Sequence, residues 1–142
     1  MIDTKALALA EKDYIVGERR YFHSHPELGN HEVNTTKHIM AELQKMGVDE
    51  ILSWDDITGC VGIIHGKYPG KTVALRADID ALPLQEADLT KSYASRNAGV
   101  MHACGHDCHT AMLLGAAKIL TAHREEIHGT VKLLFQMAEE IG

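Results

Sequence analysis

The sequence has 142 residues, of which 45% are hydrophobic and 24% charged, so it is long enough for one domain with its own core and unlike a disordered chain. The net charge is −6 and no run of Lys or Arg appears, which argues against a nucleic-acid-binding protein. No stretch approaches the roughly 20 apolar residues of a membrane span, and residues 1–5 lack the layout of a signal peptide. We therefore expect a cytoplasmic protein without membrane contact.

Three segments show helical periodicity. Apolar residues recur at helical spacing over 7–21 and over 32–46, and Gly47 stands where a left-handed helix cap belongs. The segment 109–123 is apolar nearly all round, which predicts a helix packed on a sheet.

β-Rich runs cover 60–65, 72–79 and 130–135, and 50–54 is a shorter, ambiguous candidate. Gly and Pro between the first two runs predict an antiparallel hairpin, and 81–100 has the character of a long loop. The order of elements predicts an α/β fold, with a mixed β-sheet layered with helices in a single domain.

The segment 102–109 concentrates groups that can bind a metal ion: His102, Cys104, His106, Asp107, Cys108 and His109. Thiolates and neutral imidazoles are good zinc ligands. On a turned loop, Cys104 and His106 would point the same way, and Gly105 lets the backbone bend between them. The start of the next helix would favour a thiolate at Cys104. The alternative is a loop that binds no metal, and His102, Cys108 and His109 are expected to be structural or to support the ligands.

Two pairs of carboxylates stand near predicted strand ends. Asp78 and Asp80 project to the same side at the end of one strand, where α/β proteins build their sites. They could bind a metal or orient a ligating histidine, or simply form a solvated strand end with an Arg76 ion pair. Glu139 and Glu140 follow the last strand, and such a pair can divide into a ligand and a general base or be exposed surface charge.

Five stretches together resemble the M20 metallopeptidase family, in particular its amidohydrolase branch of hippurate hydrolases, N-acyl-amino-acid deacylases and auxin-conjugate hydrolases. They are FHSHPELGNHE (22–32), TGCVGIIHG (58–66), VALRADIDALPLQE (73–86), MHACGHDCHTAMLLGAAKIL (101–120) and LLFQMAEE (133–140). The resemblance implies the N-terminal part of a zinc-peptidase-like catalytic domain. It also implies metal-dependent hydrolysis of the amide bond of small, hippurate-like N-acyl amino acids.

By position, the resemblance makes Cys104, His106 and Glu140 metal ligands and Glu139 the general base. Asp80 matches an aspartate that orients a ligand. The family site holds two divalent ions (Zn, Mn, Co or Ni), with Cys104 placed to bridge them.

Two positions depart from the family pattern. Asp78 occupies a position where other M20 branches have a ligating histidine, so its role is open. Met137 stands where the branch usually has proline, which leaves the approach to Glu139 less restricted.

Complete family members are much longer and supply two further histidine ligands and a lid or dimerisation domain. We therefore expect 1–142 to be an incomplete catalytic domain, with little or no activity alone and a tendency to self-associate through uncovered apolar surface. One alternative is a non-catalytic metal-binding module, in which Cys108 or His109 joins Cys104 and His106 in a closed site. Another is a thiol redox protein using Cys104 and Cys108, although their spacing is C-x-x-x-C and not C-x-x-C.

Overall fold

The computed structural model describes residues 3–142, so Met1 and Ile2 of the N-terminal stretch considered above lie outside the described residues. The main elements are α1 (Thr4–Ala10), α2 (Lys12–Ser24), α3 (Val33–Met46), β1 (Glu50–Leu52), β2 (Cys60–His65), β3 (Tyr68–Asp78), α4 (His106–Ala122) and β4 (His128–Gln136). Two 3₁₀ turns follow α4 and β4, at Arg124–Glu126 and Glu139–Ile141. The α/β class with a mixed sheet is confirmed.

The four strands form one sheet in the order β1-β2-β4-β3. β2 pairs antiparallel with both β1 and β4, whereas β3 pairs parallel with β4. The predicted hairpin between β2 and β3 is therefore wrong, because β4 lies between them. The connection does not fold back on β2: the backbone N–H of Gly66 donates to Gly129 at 2.8 Å, and that of Tyr68 donates to Ile127 at 3.2 Å.

The hydrophobic core lies between the helices and the sheet. Its fully buried side chains include Ile39 and Leu43 from α3, Leu114 from α4 and Leu133 from β4. A glycine at position 62 eases the close approach of α3 to the sheet, since a Cβ there would lie 3.1 Å from Cδ1 of Leu43. This packing fixes the helices relative to the strands that carry the acidic residues.

Helix boundaries follow the sequence pattern with two differences. The first predicted helix, 7–21, is longer at both ends, from Thr4 to Ser24, and is divided at Glu11 into α1 and α2. The α3 helix ends as predicted, with Gly47 in the left-handed conformation at φ 74°. The α4 helix begins at His106 and not at 109, because Gly105 caps it with φ 106°, so His106 and Asp107 lie in the first helical turn.

The long segment between β3 and α4 contains neither helix nor strand, as predicted. Two isolated β-bridges fasten it, one between Leu28 and Ala81 and one between Leu82 and Met101. Among the described residues no helix combines the length and apolar character needed to cross a membrane. Location in the cytoplasm stays a prediction.

Candidate metal centre

Three of the predicted ligands come together at one end of the sheet. Cys104 precedes α4, His106 is in its first turn, and Glu140 lies in the 3₁₀ turn after β4. One potential ligand atom from each lies within 4.8 Å of the other two. Thiolate, imidazole and carboxylate are the donor types that zinc and similar divalent ions prefer. The arrangement can therefore hold a divalent metal ion.

Asp80 contacts both His106 and Glu140. Its carboxylate is fully buried, with Oδ1 3.1 Å from Nδ1 of His106, while Oδ2 accepts a hydrogen bond from the backbone N–H of Glu140 at 2.9 Å. The backbone carbonyl of Asp80 is also 3.0 Å from Nδ1 of His106. A proton on Nδ1 satisfies these acceptors and leaves Nε2 of the ring free to bind a metal.

Glu139 and Glu140 differ in exposure although they are adjacent. The Glu139 side chain is 41% exposed, with Oε2 3.6 Å from Nε2 of His106. The Glu140 side chain is 16% exposed, and its Oε1 is buried without a hydrogen-bond partner among residues 3–142. An unpaired buried carboxylate oxygen is costly unless something positive satisfies it, so Glu140 fits a metal ligand. Glu139 is instead accessible from solution.

The surroundings of Cys104 are more negative than its place before a helix suggests. Interaction with the Glu140 carboxylate, then burial, then the charges of Glu139 and Asp80 raise the pKa of the Cys104 thiol above its ordinary value. These carboxylates therefore oppose the stabilisation of a Cys104 thiolate that the start of the helix would offer. Repulsion among these groups is what a bound cation would relieve.

Asp78 is not part of the Cys104 group. Its Oδ1 accepts hydrogen bonds from Arg76 at Nε (2.8 Å) and Nη2 (2.7 Å), as in the ion pair considered above. Asp78 and His109 also form a second group with His106, again with one atom from each within 4.8 Å. The imidazole of His106 thus stands between two sets of potential ligands.

Cys108 and His102 remain outside both groups. All three cysteines are free thiols, and Cys108 is half-buried beside Arg19. His102 is 5% exposed, neither ring nitrogen has a hydrogen-bond partner in the described part of the chain, and burial lowers the pKa of the ring to about 4. A closed site of Cys104, His106 and Cys108 is thus not the arrangement that the fold forms.

One important residue escaped the sequence analysis. Glu32 is fully buried between α3 and the end of β4, with Oε1 accepting from the backbone N–H of Ala138 at 2.8 Å and Oε2 from the hydroxyl of Thr58 at 2.6 Å. Ala138 has a left-handed backbone at φ 56°, immediately before Glu139. Glu32 therefore fixes the turn that presents Glu139 and Glu140. A lone glutamate before a helix gives no pattern that marks it.

A second buried network supports the start of α4. Nδ1 of His23 is 2.7 Å from Asp107, and its Nε2 is 3.3 Å from Glu86 in the long loop. Arg19 also pairs with Asp107 at 3.0 Å. The network ties α2 and the loop to the residue that follows His106.

The fold and these groups define an α/β domain with a candidate metal centre at the carboxyl ends of two parallel strands. A sequence profile of Peptidase family M20/M25/M40 matches residues 74–142. Residues 74–142 are thus similar to the catalytic sequences of this family.

Individual relatives agree over nearly the whole chain. IAA-amino acid hydrolase ILR1-like 4 of Arabidopsis thaliana is 50% identical, covering 99% of this chain and 32% of the relative. N-acyl-L-amino acid amidohydrolase of Geobacillus stearothermophilus is 47% identical over 98% of this chain and 37% of the relative. A solved dinuclear metal-binding M20 peptidase of Bacillus subtilis superposes with a TM-score of 0.84 at 45% identity, over 97% of this chain and 37% of that one. The chain thus spans about a third of the length of these relatives.

Proposed function

We propose that this chain forms part of the active site of a metal-dependent amidohydrolase that cleaves N-acyl amino acids. The observation that carries the proposal is the convergence of Cys104, His106 and Glu140, with the exposed carboxylate of Glu139 3.6 Å from Nε2 of His106. Ligands and a solvent-accessible base in this arrangement suit hydrolysis of a carbonyl substrate.

Two divalent ions fit the proposal, in keeping with the dinuclear relative. Cys104, His106 and Glu140 would contribute to holding them, and Asp78 with His109 offers further donors beside His106. When bound, the ions would supply positive charge that polarises an acyl carbonyl. Zinc, manganese, cobalt and nickel all suit these donor types.

Glu139 would act as the general base. Its half-exposed carboxylate can accept a proton from the attacking water and return it to the leaving amine. Asp80 would act through His106, since its buried carboxylate holds the ring by Nδ1 and the Glu140 backbone at the same time. Each carboxylate thus has a separate task, set by its burial.

The names of the two sequence relatives support an acylated amino acid as the substrate class. A hippurate-like acyl group is our proposal within that class. An N-acyl amino acid carries one carboxylate and one amide bond that can be cleaved. The ions and Glu139 would therefore act on a small molecule.

The three ligands that converge here are few for a two-ion site, so we expect residues 1–142 alone to hydrolyse such substrates slowly or not at all. We also expect self-association. β3 pairs with a neighbour on one side only, and its Val73 and Leu75 side chains are 54% and 37% exposed.

A chimera tests the function directly. Residues 1–142 would replace the matching segment of the Geobacillus relative, and hydrolysis of N-acetyl- and N-benzoyl-amino acids would be assayed with zinc, manganese or cobalt. We expect activity that Glu139→Gln abolishes and that the exposed-site control Glu125→Gln leaves intact. An active chimera that tolerates loss of Glu139 would contradict the assigned base.

Metal binding by the chain itself separates this proposal from a closed structural site. Cobalt bound to a thiolate gives a charge-transfer absorption, which reports an ion at Cys104. We expect the absorption to be lost in Cys104→Ala and weakened in Glu140→Gln, and to persist in Cys108→Ala. Dependence on Cys108 but not on Glu140 would favour the non-catalytic module instead.

A further inference from the structure

We propose a second divalent-cation site, formed by Glu18, His38 and Glu42 between α2 and α3. One ligand atom from each of these residues lies within 4.8 Å of the other two. The cluster shares no residue with the metal centre at Cys104, so the proposal does not depend on the proposed function.

The helices place these groups at the spacing that metal binding needs. His38 and Glu42 are four residues apart on α3, so their side chains lie one above the other on the same face. Glu18 reaches across from α2, with Oε2 2.7 Å from Nε2 of His38. A metal ion would replace the proton that these two atoms share. With Zn–N and Zn–O bonds of about 2.0–2.2 Å at a tetrahedral angle, the two atoms would have to separate to about 3.4 Å.

The imidazole is held in place before any ion arrives. The ring of His38 stacks on Tyr21, with centroids 3.8 Å apart, and meets the edge of Phe22 at 5.4 Å. Glu42 is fixed by the hydroxyl of Tyr14, which donates to Oε2 at 3.1 Å. These contacts reduce the loss of side-chain entropy on metal binding. They also orient the ligands, as the residues around the ligands do in other metal sites.

The local charge favours a cation. Among residues 3–142, Lys45 is the one lysine or arginine paired with the three ligands; its Nζ lies 2.5 Å from Oε1 of Glu42, and its side chain is 70% exposed. An exposed lysine pair of this kind contributes little, so an ion can displace it.

The site is sheltered yet reachable. The side chains of Glu18, His38 and Glu42 are 14%, 22% and 11% exposed. A surface cavity of about 420 Å³, whose lining includes Tyr14, Glu42, Lys45 and Lys118, opens beside Glu42, so this ligand can be reached from solution. One nitrogen and two carboxylate donors with an open position suit Zn²⁺, and Cd²⁺ can serve as its probe.

Cadmium-113 NMR of the whole chain distinguishes this site from the other. Sulfur ligands move the cadmium resonance strongly downfield of positions seen with nitrogen and oxygen ligands alone. We expect an upfield nitrogen–oxygen resonance in addition to any sulfur-shifted resonance from Cys104. The measurement is made in a His109→Asn background, where the sulfur-free group of Asp78, His106 and His109 has lost a donor. His38→Asn should remove the upfield resonance, while Cys104→Ser should leave it unchanged.

A matched control is available in the same chain. His65 pairs with Glu50 at the same 2.7 Å distance, but this pair belongs to no group of three ligands among the described residues. His65→Asn should therefore keep the upfield resonance. Glu18→Gln, a milder change at a partly exposed position, should weaken zinc affinity about tenfold or more in chelator competition, with folding checked by circular dichroism.

Two results would overturn the proposal. One is a folded wild-type chain that shows no upfield resonance at saturating cadmium. The other is an upfield resonance that, in the His109→Asn background, survives both His38→Asn and Glu18→Gln, which would place the ion elsewhere. If Cys104→Ser loses only the sulfur-shifted resonance, that resonance belongs to the metal centre at Cys104, and the result supports a separate site at Glu18, His38 and Glu42.

Discussion

The buried carboxylate of Glu32 accepts a hydrogen bond at 2.8 Å from the backbone N–H of Ala138, a residue 106 positions later in the chain. This bond joins the start of α3 to the turn after β4. It holds Ala138 in a left-handed conformation, from which Glu139 and Glu140 project toward His106.

Replacing Glu32 by alanine should destabilise the fold. The backbone N–H of Ala138 and the hydroxyl of Thr58 would lose their acceptor inside the protein, at a cost of about 1–3 kcal/mol for a buried unsatisfied group. Urea unfolding measures the loss. The control Glu125→Ala removes a 68% exposed glutamate paired with Lys67 and should change stability by less than about 0.5 kcal/mol. Equal effects of the two changes would refute the structural role of Glu32.

Asp80→Asn should weaken the metal centre without removing a ligand. An amide can replace only part of what the carboxylate accepts, so either His106 or the Glu140 backbone loses its partner. We expect cobalt affinity at Cys104, followed by thiolate charge-transfer absorption, to fall about 10–100-fold. Asp88→Asn, in an exposed part of the long loop, should leave this affinity unchanged. Unaltered affinity in Asp80→Asn would show that the orientation of His106 does not matter for binding.

Leu114→Ala should open a cavity in the core. Leu114 is fully buried on α4, and truncation of such a leucine costs about 2–5 kcal/mol in the free energy of unfolding. Met112, on the same helix, is 54% exposed, so Met112→Ala provides a control that should cost under about 0.5 kcal/mol. Similar midpoints of urea unfolding for the two variants would contradict the packing of α4 on the sheet.

Cys60 should make the protein sensitive to alkaline pH. Burial raises the pKa of its thiol from 9.0 to about 12, so above pH 9 the unfolded chain loses this proton while the folded chain keeps it. The unfolded state then binds fewer protons, and stability falls as pH rises from about 9 to 12.

Cys60→Ala removes this contribution. The stability of wild type relative to Cys60→Ala should fall by about 1.4 kcal/mol per pH unit in the upper part of that window, measured by urea unfolding under reducing conditions. A difference that stays constant from pH 8 to pH 11 would rule out a buried thiol with a raised pKa.

Much of the fold could be predicted because its signals are local. Periodicity marks α3, and Gly47 marks its end. Pairing of β4 between β2 and β3 could not be predicted this way, because the turn residues at 66–71 describe a bend but not the strand that arrives from 128–136.

The candidate site also has residues that the sequence predicts and residues that it does not. Cys104 and His106 are recognisable as a cluster in sequence, and the family resemblance supplies Glu139, Glu140 and Asp80. The bonds of Glu32 to Ala138 and of His23 to Asp107 link segments that carry no shared pattern. Such long-range partners of the site emerge only from the packing of α2, α3 and the loop.

β4 lies in the middle of the sheet, and this position sets the order in which the proposed metal ligands can come together. Until 128–136 enters the sheet, β3 has no neighbour and β2 has only β1. Cys104 and His106 are synthesised before that strand, whereas Glu140 comes after it. A growing chain therefore cannot assemble the three ligands early and capture an ion around an unfinished sheet. The three proposed ligands can therefore meet only after β4 has paired with β2 and β3.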